Sequence, residues 1–133
     1  MMGEKGGVKK GSLMMCSTGT VKRQLRWSPT GLFRFSALTF NGHKIHYNED
    51  WTLSVEGHPG LVVHGPLNLI NMLDYWRDVQ GQASPSEIVY RATAPVYAGE
   101  EYQMYKAGEK ESGAWEIVAD KKGVVCMKGE VTP

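Results

Sequence analysis

The stretch PLNLINMLDYWRDVQ, residues 66–80, decides the fold. Within it Leu69, Leu73, Trp76 and Val79 recur at three- and four-residue steps, the spacing of one face of an α-helix. Leu67, Ile70 and Met72 widen that stripe, so the helix is expected to be wrapped by sheet on more than one side. Asn71, Asp74, Arg77 and Asp78 are its expected polar face. Pro66 suits the first turn, and Gly81 suits the residue that ends the last one.

Past Gln80 the apolar period shortens toward two. Residues 87–97, 101–107, 114–119 and 124–131 are rich in Val, Ile and Tyr and are predicted to be strands. Glycine-bearing turns at 108–113 and 120–123 separate the last three, which points to an antiparallel meander. Ahead of the helix, residues 20–27 read as a short strand with Val21, Leu25 and Trp27 on one side. Ser28, Pro29, Thr30 and Gly31 then start a short helix over 32–39, with Leu32, Phe35, Ala37 and Leu38 expected inward. Residues 48–55 are expected to make another helical turn. The predicted class is α+β: one domain at residues 20–133, an antiparallel sheet wrapped around a single central helix, behind a flexible leader at residues 1–19.

The chain has 133 residues, 41% of them hydrophobic, with 4 Trp, 6 Tyr and 3 Phe, enough to bury a real core, which excludes disorder throughout. The net charge of +1 argues against nucleic acid as a partner. That balance conceals an asymmetry: residues 1–26 hold six basic side chains against Glu4 alone, and the rest of the chain holds nine basic and thirteen acidic ones. Cys16 and Cys126 make no disulfide framework, in keeping with a reducing compartment. No apolar run approaches the roughly 20 residues of a membrane span, and Leu13 to Cys16 is too short for a signal-peptide core. The expected setting is cytoplasmic, without a membrane partner; a mitochondrial address is the alternative.

Two segments can carry chemistry. Residues 40–50 are the densest polar cluster and hold Asn41, His43 and His46. Residues 59–66 include His64 and Gly65 and run into the start of the central helix, where unpaired amides and the helix dipole favour negative charge. Pro66 has no N–H, which leaves the amides of Gly65 and Leu67 to face outward. A neutral imidazole beside such donors is the minimum for proton transfer with oxyanion stabilisation. Blander roles exist for each residue: His46 satisfied by backbone, Asn41 in an Asx-turn, His43 as a cap, His64 in a local hydrogen bond, Gly65 as the small residue of a tight turn. A metal held by His43 and His46 lacks a third ligand, so none is expected.

The runs LFRFSALTFNGHKIHY (32–47), PGLVVHGPL (59–67) and APVYAGE (94–100) resemble, in that order, the MaoC-like hot-dog hydratases. The likeness is to the branch of mesaconyl-CoA hydratases and mitochondrial type 2 3-hydroxyacyl-thioester dehydratases, and it covers about residues 20–133. It implies a hot-dog domain that reversibly hydrates enoyl thioesters without a cofactor. The family motif is an Asp, two residues on an Asn, and three further on a His. On that motif His46 takes the place of the catalytic His, Asn41 that of the Asp and His43 that of the Asn. Gly65 falls on the glycine whose N–H holds the thioester carbonyl. The branch usually has an acid just after its H-Y pair, where this chain has Asn48.

The resemblance therefore implies a hydro-lyase acting on a small-molecule acyl thioester. Its catalytic residues would be His46, Asn41 and Gly65, with His43 and His64 against substrate. Arg34 or Lys44 would bind a free carboxylate in a dicarboxylic substrate. A homodimer is expected, since one helix on one sheet leaves apolar surface uncovered. Two alternatives stay open: a tailoring dehydratase or isomerase of specialised metabolism on another substrate, and a non-catalytic hot-dog binding subunit.

Overall fold

In a computed structural model the chain is described at residues 13–15, 21–81 and 84–133. The helix over residues 66–80 forms as its spacing requires. As α3 it runs Gly65–Gln80, and Gly81 ends it in the left-handed conformation at φ 83°. Its buried face is Leu67, Asn68, Asn71, Met72, Tyr75 and Trp76. Asn71 is thus a correction to the expected polar face: it is buried, and its side-chain amide donates to Leu67 O at 3.0 Å. Ile70, expected in the apolar stripe, is 53% exposed instead.

Six strands make one antiparallel sheet: β1 (Leu13–Met15), β2 (Val21–Leu25), β3 (Glu87–Ala92), β4 (Tyr102–Glu109), β5 (Trp115–Lys121) and β6 (Val124–Thr132). Their spatial order is β1-β2-β4-β5-β6-β3. Only β4, β5 and β6 form the expected meander. β3 crosses to the far side of β6, and β2, from before the helices, pairs with β4. Both departures involve pairing across long stretches of chain, which no local signal encodes. The leader expectation meets β1, three residues of that stretch that pair with β2. Residues 1–12 and 16–20, Cys16 included, lie outside the described residues.

Leu25, Tyr102, Met104, Ile117, Ala119, Met127 and Val131 come from the strands to one core with Met72, Tyr75 and Trp76 of α3. A Cβ on Gly129 of β6 would lie 2.1 Å from Met72 Sδ, so the helix approaches that strand as closely as glycine allows. Inside the core a hydrogen-bonded chain links both layers: Trp27 Nε1 donates to Tyr102 Oη at 2.8 Å, and Tyr102 Oη donates to Asn68 Oδ1 at 2.6 Å. Burial pushes the Tyr102 phenol above its ordinary pKa, so it stays a donor at any physiological pH. At the edge, Arg23 is 1% exposed and ion-pairs with Asp74 and Asp78 of α3.

The short helix α1 spans Pro29–Leu38, with Ser28 accepting from Gly31 N–H at 3.0 Å at its start. It buries Gly31, Leu32, Phe35 and Ser36. Ala37 and Leu38, expected inward, are exposed, Leu38 at 74%, because the 3.6 period carries them past the buried face. A 3₁₀ turn (Lys44–His46), α2 (Glu49–Trp51) and a π-helical turn (Thr52–Glu56) follow.

Tyr102→Phe would strand Trp27 Nε1 and Asn68 Oδ1 in the dry core. It is expected to cost about 2 kcal/mol by urea denaturation, with the cooperativity of unfolding unchanged.

Candidate active site

Short-range hydrogen bonds steer the chain out of α1. Phe40, at φ 56°, turns it in the left-handed region, and Asn41 N–H reaches back to Ser36 O at 2.8 Å. Asn41 Oδ1 then accepts from His43 N–H at 3.1 Å, and His43 Nδ1 accepts from Ile45 N–H at 3.4 Å. These two contacts start the 3₁₀ turn that ends at His46. Residues 61–63 run alongside: Val62 N–H donates to Ile45 O, Val63 N–H to Val96 O and Ala98 N–H to Leu61 O, each at 2.8 Å. The chain then enters α3 through His64. In this way the two polar segments of the sequence become one site.

His46 is 8% exposed, and its Nδ1 lies 2.6 Å from Val62 O. A carbonyl only accepts, so Nδ1 carries the proton and Nε2 keeps its lone pair. His64 is wholly buried, its Nε2 2.7 Å from Ser36 Oγ. The two imidazoles stack, centroids 3.8 Å apart and planes 18° from parallel, with the His43 ring 5.9 Å from that of His46. Burial lowers the pKa of His46; the Val62 carbonyl works against this, and His43 adds to it. His64 is pushed down to about 4 by burial and by His46. Both rings are therefore neutral at pH 7.

Gly65 opens α3, a 16-residue helix whose first-turn amides have no carbonyl within the helix to accept them. Its φ is not in the left-handed region, and a Cβ there would meet nothing within 4 Å. Neither backbone strain nor packing demands glycine at this position, and open space lies in front of it.

His46, His64, His43 and Gly65 are brought together. The partner of His64 is not local, as expected, but Ser36 on α1, 28 residues away. That burial also removes His64 from any surface a substrate could touch directly. Asn41 is half-buried, with its side-chain oxygen held by the His43 amide. Arg34 and Lys44 are exposed, and Lys44 Nζ sits 5.7 Å from the centre of the Trp51 ring. Asn48, which stands where an acid was expected, caps α2 by accepting from Trp51 N–H at 3.0 Å. Ser36 was missed. Its signal was a hydroxyl four residues after Leu32 on the buried face of a helix, where a polar group needs a partner. Among the described residues, no group of three or more His, Cys, Asp or Glu is placed to hold a metal ion.

The fold and this site define a hot-dog domain. The structure of the ChsH1–ChsH2 complex from Mycobacterium tuberculosis superimposes with a TM-score of 0.70 over 92% of this chain and 94% of that one, at 15% identity. Residues 4–98 match the family described as hydroxyacyl-thioester dehydratase type 2, and the chain belongs to that family. It is 55% identical over 69 residues to the mesaconyl-C(4)-CoA hydratase of Chloroflexus aurantiacus, a match that covers 52% of this chain and 24% of that protein. It is 37% identical over 75 residues to the mitochondrial hydroxyacyl-thioester dehydratase type 2 of Schizosaccharomyces pombe, covering 55% and 25%. The chain thus spans about a quarter of the length of these curated relatives.

Unfolded His64 titrates near 6.5 and folded His64 near 4, so the unfolded chain binds more protons between those values. Stability is expected to fall as pH drops from 6.5 to 4, by up to an amount on the order of 3 kcal/mol from this residue. Urea denaturation at pH 7 and pH 4.5 measures it, and His64→Gln should lose most of the dependence.

Proposed function

We propose that this chain is a hydro-lyase domain that adds water to an enoyl thioester or removes it from a 3-hydroxyacyl thioester. The observation that carries the reading is His46, its Nδ1 held on Val62 O, its Nε2 bare and its ring stacked on His64, the residue that leads into the open helix start at Gly65. Membership of the dehydratase family and the names of the two relatives support it.

In the dehydration direction the thioester carbonyl accepts from Gly65 N–H, and the dipole of α3 adds to that donor. His46 Nε2 takes the α-proton, the electrons pass to the carbonyl oxygen, and the enolate expels the β-hydroxyl as water with the proton returned by His46. Asn41, through its side-chain amide, orients that water. Arg34 or Lys44 would receive the second carboxylate of a dicarboxylic substrate. Stabilising one oxyanion by a fixed amide is worth about 10²–10³ in rate, comparable to the base itself.

The Asx-turn at Asn41 favours a second reading, in which the domain binds a thioester and a partner chain supplies the acid. That partner would be a different chain; for the hydro-lyase reading itself, the partner we propose is another copy of this chain. The structural neighbour ChsH1–ChsH2 is itself a complex, and β3 is an edge strand with Val89 57% and Tyr90 42% exposed. No helix among the described residues is long and apolar enough to cross a membrane. The cytoplasm is the proposed compartment. The mitochondrial name of the yeast relative supports the alternative.

The test is loss of the enoyl-thioester absorbance with crotonyl-CoA and mesaconyl-CoA. His46→Ala is expected to slow it about 10²–10⁴-fold. Gly65→Ala should fold normally, since its methyl meets open space, yet lose about tenfold or more in kcat/KM because that space is where the thioester would lie. A wild type that is silent while Asn41→Asp is active would retire the hydratase reading for the native chain in favour of the two-chain one.

A further inference from the structure

Ser36 and His64 take no part in the reaction sketched above, yet they form the floor on which His46 lies. A histidine kept for local structure satisfies both ring nitrogens or turns one toward water. His64 does neither: its ring is wholly buried, its Nδ1 has no hydrogen-bond partner, and its side chain does not cap α3 although it stands at the cap position. What the ring does touch is specific. One face lies on His46 at 3.8 Å, its edge meets Phe35 at 4.7 Å and 69°, and Nε2 is bonded to Ser36.

A serine hydroxyl 2.7 Å from an imidazole nitrogen has the separation of an activated nucleophile. Two facts exclude that use. Nothing orients His64 from Nδ1, and Ser36 is 4% exposed inside α1, leaving no approach for an acyl group. The remaining role is geometric. A single hydrogen bond from Nδ1 to Val62 fixes one point of the His46 ring and leaves the ring free to pivot about it. A second ring held parallel against it removes the pivot.

We propose that Ser36 and His64 are positioning residues for His46: the Ser36 hydroxyl fixes the rotation of the His64 ring, and that ring holds the His46 plane so that Nδ1 stays on Val62 and Nε2 stays free. The titratable groups that face His46 are His64 beneath it and His43 on its own turn. Because the floor is neutral near pH 7, an imidazolium formed at His46 meets no like charge from below. This inference rests on reading His46 as the base, but its test does not need activity.

The test is ¹⁵N NMR of the full chain without substrate, which reports the tautomer and titration of each imidazole. Wild type is expected to show His46 as the Nδ1–H tautomer. Ser36→Ala should give a mixture of tautomers with the His46 titration moved up toward 6.5, and Ser36→Thr, which keeps the hydroxyl, should restore both. In turnover, Ser36→Ala should lower kcat on the order of tenfold with KM little changed. His64→Ala removes the floor itself and should produce the same NMR shift; if either variant fails to fold, the other decides. Wild-type tautomer and titration in the folded variant overturn the proposal. The expected NMR changes in a protein silent on every thioester uphold the positioning pair and overturn the hydro-lyase reading instead.

Discussion

The phenol of Tyr102 joins the layers of the molecule at the point where the site is built. It accepts from Trp27, between β2 and α1, and donates to Asn68, in the first turn of α3. Asn68 N–H in turn donates to His64 O at 3.2 Å. One hydroxyl thereby ties the start of α1, the strand β4 and the start of α3 together inside the buried core. Ser36 hangs from the first of these elements, and His64 and Gly65 from the last. The geometry of the site is inherited from a core contact that touches none of its reacting atoms, since both partners of the hydroxyl are too expensive to leave unpaired.

Legibility in the sequence followed the range of the interactions involved. The helix α3 was readable to within one residue because its signals, the apolar spacing and Gly81, are local. The hot-dog arrangement was legible through motifs in family order, and the same motifs singled out His46 and Gly65 as candidates. The sheet order was not: nothing near β3 says that it will pass over the meander to pair with β6. On α3, Asn71 reads as solvent-facing because an amide usually is, yet it finds the carbonyl of Leu67 one turn back and can be buried. Ser36 is the same case on α1. Both are polar residues made invisible to hydropathy by a partner, and for Ser36 that partner lies in another segment.

The two stacked imidazoles at the centre of the site carry no charge near pH 7. Burial keeps both neutral, and the residue at position 41 is an amide, not a carboxylate. On the proposed reaction, positive charge at His46 and negative charge at the thioester oxygen therefore arise together, from neutral groups, in a poorly solvated space. Each stabilises the other only if both are formed in place. That requirement puts a premium on fixed geometry over electrostatic pull.

Arg23 settles a question that apolar patterning leaves open. On β2 the inward side chains are Val21, Arg23, Leu25 and, just beyond, Trp27. Hydrophobic alternation forbids a slip of one residue, but a slip of two would still turn the same face to the core. Such a slip would set Val21 or Leu25 against Asp74 and Asp78, and the guanidinium would lie among apolar side chains. The ion pair thus works as an index mark, distinguishing alignments that greasiness alone would treat as equal, and it fixes where along β4 the chain leaves the strand to begin Trp27 and α1. The start of α1 thus receives its phase from an ion pair between β2 and the second half of α3.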